Sequence, residues 1–189
     1  MELLQVNSKS PSFNMLDIND NIIALDKYIG TNILLTFFRT ASCPFCNLRV
    51  HKLIQKSDYF KNNNIQVICF FASSKNEILK YAGKQLPNFP IIADENEIIY
   101  KKYKIQSSNM AKLKTMKRLA TMIEFTKKGF LSLKAFNEQP ILPADFLINT
   151  NGSLDYCYYG KDMGDHLSFS EIENWAENKN RVGKGESHP

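Results

Sequence analysis

Two cysteines three residues apart, Cys43 and Cys46 in FFRTASCPFCNLRV, are the residues of this 189-residue chain whose type and spacing are best suited to chemistry. A run of β-formers, NILLTFFR at 32–39, leads to them, and TASCP breaks it. Beyond lies NLRVHKLIQKSDYF at 47–60, with Leu48, Val50, Leu53 and Ile54 near helical spacing. The arrangement is strand, tight turn, helix. Both thiols then fall in the first helical turn, where unpaired N–H groups and the positive end of the dipole favour thiolate over thiol. The thiolate is the attacking species in thiol redox chemistry. Pro44 suits the first turn, since its missing N–H would have no partner there. Cys43 is therefore expected at an exposed rim with a depressed pKa, and Cys46 a turn deeper, within disulfide reach.

Two other readings compete for the pair. Zinc wants four ligands, usually as two close pairs. The remaining cysteines, Cys69 and Cys157, are isolated, and His51 is the only histidine nearby. A purely structural pair of buried thiols has no need of the strand-Cys-Pro-x-Cys-helix arrangement. Redox chemistry fits best, as C-x-x-C in a β-α-β setting suggests. Cys69, mid-strand between Ile68 and Phe70, reads as core. Cys157, in DYCYYG, reads as structural, with a resolving or inter-subunit disulfide as its alternative.

The elements around the pair follow from periodicity. IQVICFFAS at 65–73 is a second buried strand and SKNEILKYAGKQ a helix candidate. LPNFPIIADENEIIYKKYKI gives loop, short strand, turn and short helix. This β-α-β-α order means an α/β fold with parallel strands. Residues 108–127 break the rhythm: Leu113, Met116, Leu119, Ala120 and Ile123 share one helical face, opposite Lys114, Lys117, Arg118 and Thr121. PADFLINTNGSLDYCYYG predicts a hairpin about an Asn-Gly turn. FSEIENWAENK predicts a closing helix, capped by Ser170 with Glu173 and packing Ile172, Trp175 and Ala176. One domain is expected over 1–180, with a helical insertion at about 106–135 and a disordered tail at 181–189.

Composition limits the setting. With 43% apolar and 23% charged residues, the chain suits one globular domain that needs no disulfide staples. The net charge of +5 is modest, and no basic, aromatic-interleaved element points to nucleic acid. No apolar run reaches the roughly 18 residues of a membrane span. The N-terminus, MELLQVNSKSPSF, lacks the pattern of a secretory signal. These features predict a cytoplasmic protein, and in that reducing compartment a close cysteine pair is more often catalytic or metal-binding than structural.

The chain resembles the thioredoxin superfamily, and within it the peroxiredoxin branch, the alkyl hydroperoxide reductase and thiol-specific antioxidant group. FFRTASCPFCNLRV carries the resemblance. SPSFNMLDINDNIIALDKYIG, VICFFASSKNEILKYAGKQLPNFPIIADENEIIYKKYKI and LPADFLINTNGSLDYCYYGKDMGDH extend it over most of the chain. It implies a central mixed sheet flanked by helices, with Cys43 as the attacking cysteine. Pro143 matches the cis-proline that faces the cysteine pair in thioredoxin-like proteins, with a plain strand-start residue as its alternative. In the peroxiredoxin motif P-x-x-x-T-x-x-C, Thr40 and Cys43 fit, but Thr36 stands at the proline position. The family's distant arginine would fall at Pro143. Arg39, ending the strand beside the turn, is the candidate replacement, with a solvated surface cation as its plain alternative. A cation near the thiolate lowers its pKa and helps to bind a peroxide.

The resemblance implies an oxidoreductase running a Cys43/Cys46 dithiol–disulfide cycle on peroxides or protein disulfides. A thiol donor such as a thioredoxin-type reductant restores the dithiol, and no metal, flavin or haem motif accompanies it. The alternatives are a disulfide reductase without useful peroxidase activity, or a redox sensor that switches a surface without turnover. The basic helix at 108–127 reads as a packed helix with a solvated basic face, with a homodimer or partner surface as its alternative.

Overall fold

The computed structural model describes residues 2–110, 115, 118–130, 132 and 139–183. A small antiparallel hairpin, β1 (Asn14–Leu16) and β2 (Ile22–Ala24), opens the chain. The main sheet has the order β5-β4-β3-β6-β7, with β3 Asn32–Phe38, β4 Ile65–Phe71, β5 Ile91–Ala93, β6 Ala144–Ile148 and β7 Leu154–Tyr159. Strands β3, β4 and β5 run parallel, while β6 and β7 add antiparallel pairs, so the sheet is mixed. The helices are α1 (Pro44–Gln55), α2 (Ser57–Asn62), α3 (Lys75–Lys80), α4 (Ile98–Lys102), α5 (Leu119–Lys127) and α6 (Phe169–Gly183). No described helix is long and apolar enough to cross a membrane.

β3 is buried on both faces, as a central strand with covered faces must be. Its alternation sorts the core into two layers. Leu34 and Phe38 face one layer with Val67, Phe71 and Leu147, covered by Val50 and Leu53 of α1 and Ile172 and Ala176 of α6. Ile33, Leu35 and Phe37 face the other, with Phe13, Phe70, Tyr100, Tyr103 and Phe146. Phe37 alone meets four rings, stacking on Phe70 at 5.0 Å and meeting Tyr100, Tyr103 and Phe146 at 5.1, 4.9 and 5.8 Å. Truncating it to Ala would cost about 3–5 kcal/mol.

Several elements differ from their sequence reading. The stretch after β4 is not one helix: α3 stops at Lys80 and a 3-10 turn follows over Ala82–Gln85. The cap of α6 sits two residues earlier than expected. Ser168, not Ser170, accepts the N–H of Glu171 at 3.2 Å, and Glu171 accepts the Ser168 N–H at 3.1 Å in return. Ile172 and Ala176 pack as expected, and the Trp175 indole N–H donates to Asp155 at 2.9 Å. α6 runs to Gly183, beyond the expected end at 180, and the rest of the expected tail lies outside the described residues.

The region between α4 and β6 is rooted in an isolated bridge pairing Ser107 with Ile141. Leu113, Met116, Lys114 and Lys117 lie outside the described residues. In α5 the expected face is corrected. Ile123 is 53% exposed, whereas Phe125 is buried against Phe45 of α1 at 5.0 Å between ring centroids. The spacing alone could not show which face meets α1. Arg118 is no free surface cation either, since it pairs with Asp162 at 2.8 Å and Asp165 at 3.0 Å.

Candidate active site

The cysteine pair sits where β3 hands over to α1. Cys43 is the N-cap residue, in extended conformation (φ −66°, ψ 121°), and Pro44 takes the first helical position. The Cys43 N–H donates to the Thr40 carbonyl at 3.1 Å, closing the turn, and its own carbonyl accepts the Asn47 N–H at 3.0 Å. Where β3 and β4 end, the Tyr100 hydroxyl lies 2.5 Å from the Phe38 carbonyl and 2.9 Å from that of Phe70. Asp94 holds Tyr100 in place, because its carboxylate accepts the N–H groups of Ile98, Ile99 and Tyr100 at 2.9, 2.7 and 3.1 Å.

The exposed rim expected for Cys43 is overturned. Cys43 is 0% exposed and Cys46 1%, because the whole run from 32 to 44 is buried and the turn folds into the core rather than over it. Arg39 is likewise no surface cation, at 1% exposure. Its guanidinium donates through Nη1 to Cys43 Sγ at 3.4 Å and through Nη2 to the Gln139 carbonyl at 3.1 Å. Its Nε is buried with no hydrogen-bond partner among the described residues.

These contacts set the two thiols apart. Burial pushes the Cys43 thiol up. Donation from the Cys46 thiol, the Arg39 charge, the Cys46 backbone N–H and the Arg39 hydrogen bond outweigh it and leave the pKa lowered to about 6. Cys46 is driven the other way, by burial and then by its thiolate neighbour. The two sulfurs are thus set apart, Cys43 toward the thiolate and Cys46 toward the thiol. Burial also raises the pKa of Cys69, which is 0% exposed in β4, and of half-buried Cys157 in β7.

Of the other expected site residues, Thr40 is buried in the turn beside Cys43. Pro143 lies one residue before Ala144, which pairs with Phe37 at the site end of the sheet. The expected cis bond is not found, since no peptide bond among the described residues is cis. Proline is tolerated here because β6 begins only at Ala144 and needs no N–H before it, while the Pro143 carbonyl accepts the Gly160 N–H at 2.9 Å.

Four polar residues escaped the sequence reading. Asn47, 3% exposed inside α1, donates to the Ala41 and Cys43 carbonyls at 2.7 and 2.9 Å. Ser73 accepts the Ala41 N–H at 2.9 Å. Asp145, 0% exposed in β6, meets His166 Nδ1 at 3.0 Å and accepts the Leu167 N–H at 2.7 Å. Burial pushes Asp145 up, but His166 and then Arg49 and Thr36 outweigh it and hold it below the usual carboxylate range. A carboxylate inside the apolar run ADFLI was the available signal for Asp145, and an amide inside a helix was the signal for Asn47. Among the described residues no group of three or more His, Cys, Asp or Glu is placed to hold a metal.

The model of the AhpC/TSA family matches residues 6–157. The peroxiredoxin Bcp protein of Buchnera aphidicola subsp. Schizaphis graminum is 23% identical over 166 residues, covering 88% of this chain and 91% of that protein. Among solved structures, the reduced 2-Cys peroxiredoxin of Plasmodium vivax superposes with a TM-score of 0.68 at 17% identity, covering 97% of this chain and 86% of that one. A cysteine-to-serine variant of Xylella fastidiosa PrxQ superposes with a TM-score of 0.69 at 12% identity, covering 97% and 99%. These likenesses agree with the mixed sheet and flanking helices described above.

Proposed function

The chain belongs to the AhpC/TSA family, and on that premise we propose that it is a peroxiredoxin-type oxidoreductase in which Cys43 reduces peroxides and Cys46 resolves the product. The Cys43 thiolate attacks one peroxide oxygen, the O–O bond breaks, and the departing oxygen takes a proton and leaves as water or alcohol. Cys43 is then a sulfenic acid. The Cys46 sulfur attacks it, giving the Cys43–Cys46 disulfide and water. Two electrons have passed to the peroxide, and two thiol equivalents from a donor return them. A thioredoxin-type reductant suits that role, and a reducing compartment such as the cytoplasm suits the free thiols. A homodimer remains part of the proposal.

The observation that carries this reading is the Arg39 guanidinium 3.4 Å from Cys43 Sγ. It stands where a cation would favour the thiolate and attract a polar peroxide, the role the resemblance assigned to an arginine at the position of Pro143. The second reading, disulfide exchange, would use the same two sulfurs, with Cys46 resolving a mixed disulfide. The deciding experiment compares peroxide consumption with protein-disulfide reduction, on the wild type and on Cys43→Ser, with peptide mapping of the oxidised protein. Peroxide consumption lost in Cys43→Ser, with a Cys43–Cys46 disulfide in the wild type, is the expected result. A dominant Cys43–Cys157 or intermolecular link would overturn the local resolver. Turnover on disulfides alone would favour the second reading.

A further inference from the structure

Cys43 occupies the N-cap of α1, a position usually filled by a residue whose side chain binds a free N–H of the first turn. Here the side chain makes no such bond. The nucleophile therefore does not fasten its own turn, and something else must. Asn47 is one turn along the helix, in a position that asparagine disfavours, because its amide competes for backbone partners. In this protein that competition has a target. The amide reaches back and donates to the carbonyls of Ala41 and Cys43, at 2.7 and 2.9 Å. Both of its protons go to the turn that carries the thiol.

The backbone at Asn47 is backed by a second residue. Gln85, on the 3-10 turn after α3, donates through Nε2 to the Asn47 backbone carbonyl at 3.1 Å and lies 3.5 Å from the side-chain Oδ1. On the other side of the turn, the Ala41 N–H donates to Ser73 beyond β4. The turn is thus held by Asn47 from α1 and by Ser73 from the loop after β4. Neither residue touches the thiol sulfur in any described contact.

We infer that Asn47 is a positioning residue for Cys43, fixing the turn so that Sγ stays against the Arg39 guanidinium. This rests on the reading of Cys43 as the attacking thiol. The 3.4 Å contact between Arg39 and Sγ leaves little slack, since an interaction of this kind weakens as distance and angle relax. A loosened turn separates the cation from the sulfur and leaves burial, which opposes the thiolate, without the Arg39 counterweight.

The test is Asn47→Leu. Leucine is close in size, favours the helix more than asparagine does, and lacks both donors, so α1 is not weakened by propensity. Four measurements are made in parallel: thiolate absorbance against pH, iodoacetamide labelling of Cys43, peroxide reduction and thermal unfolding. We expect the Cys43 pKa to rise by about one unit, which means about tenfold less thiolate at acidic pH. Labelling and peroxide reduction, both measured at that acidic pH, should fall by a similar factor. An unchanged pKa and labelling rate in the folded variant overturns the inference, whatever happens to the melting temperature, because a purely structural tie would move only the latter. Should Asn47→Leu not fold, Asn47→Ala, which also lacks the donors and favours the helix, carries the same two outcomes. The pKa and labelling need no peroxide. If the wild type consumes none, the proposed function fails while the role of Asn47 is still decided.

Discussion

Arg39 with Cys43, and Asp145 with His166, are two buried polar groups at the same end of adjacent strands, and they are treated differently. The Asp145 carboxylate is well bonded: His166 and the Leu167 N–H bind it, and Arg49 donates to the Leu167 carbonyl at 2.8 Å while its guanidinium lies over the Phe169 ring at 4.0 Å, although Arg49 Nε and His166 Nε2 have no hydrogen-bond partner among the described residues. Arg39 has only a sulfur and one carbonyl as described partners, and an Nε with none. A well-bonded buried charge holds elements together. Orphaned nitrogens occur in both groups, so what separates them is the neighbour: Arg39 lies against the Cys43 sulfur, whose pKa is lowered, and Asp145 against a histidine and a backbone N–H. The first group should therefore govern stability and the second reactivity.

The sharpest way to break this division is at the sulfur itself. Cys43→Ser should lower peroxide reduction by more than about a thousandfold, as loss of a nucleophile does, while the melting temperature stays close to that of the wild type. A steady-state assay beside a thermal melt checks both. Asp145→Ala should do the opposite. Removing one partner of a buried pair costs about 3–5 kcal/mol, read from chemical denaturation, whereas Cys43 labelling in the still-folded protein should change little. A large loss of labelling would join the two groups into one.

Arg39→Met lies between these extremes. The Cys43 pKa should rise and peroxide reduction slow by about tenfold. Because Arg39 is buried and bonded rather than a solvated strand-end cation, stability should also fall, by about 1–3 kcal/mol. Thiolate titration with denaturant melts separates the two effects, and an unchanged titration would leave the first-turn N–H groups and Cys46 as the activators.

Acid should separate the regions without mutation. Both folded pKa values are depressed, so each group's contribution is present above its unfolded value and fades as pH falls through the folded one. For Cys43 the window runs from about 9 down to about 6. For Asp145 it opens only below about 4. Labelling of Cys43 should thus decline as pH drops below about 6, while Asp145-linked stability persists to lower pH. Coincident loss of both in one pH series would contradict this. The smallest effect belongs to the part-exposed Arg118. Arg118→Gln should cost about 1 kcal/mol or less in a denaturant melt despite its two carboxylate partners, since exposed ion pairs are worth little.

Much of the frame was legible because it repeats. The apolar runs at 32–38 and 65–71, the Asn-Gly hairpin and the C-x-x-C at a strand-to-helix junction each carry their signal within a few residues. That determined the α/β class, the buried strands, the place of the dithiol and the core position of Cys69. What remained open depended on residues far apart in the chain. Cys43 is buried, and Arg39 with it, because the turn between β3 and α1 folds into the core and the Gln139 carbonyl, 100 residues on, meets the guanidinium. Phe125 rather than Ile123 turns inward because α1 presents Phe45 to it. Asp145 is tolerated in the sheet because His166 and Leu167 arrive from a later loop. Periodicity records how often a chain turns a residue toward an interior. Which charge meets which sulfur, carbonyl or ring is set by long-range packing, and only the tertiary structure decided it.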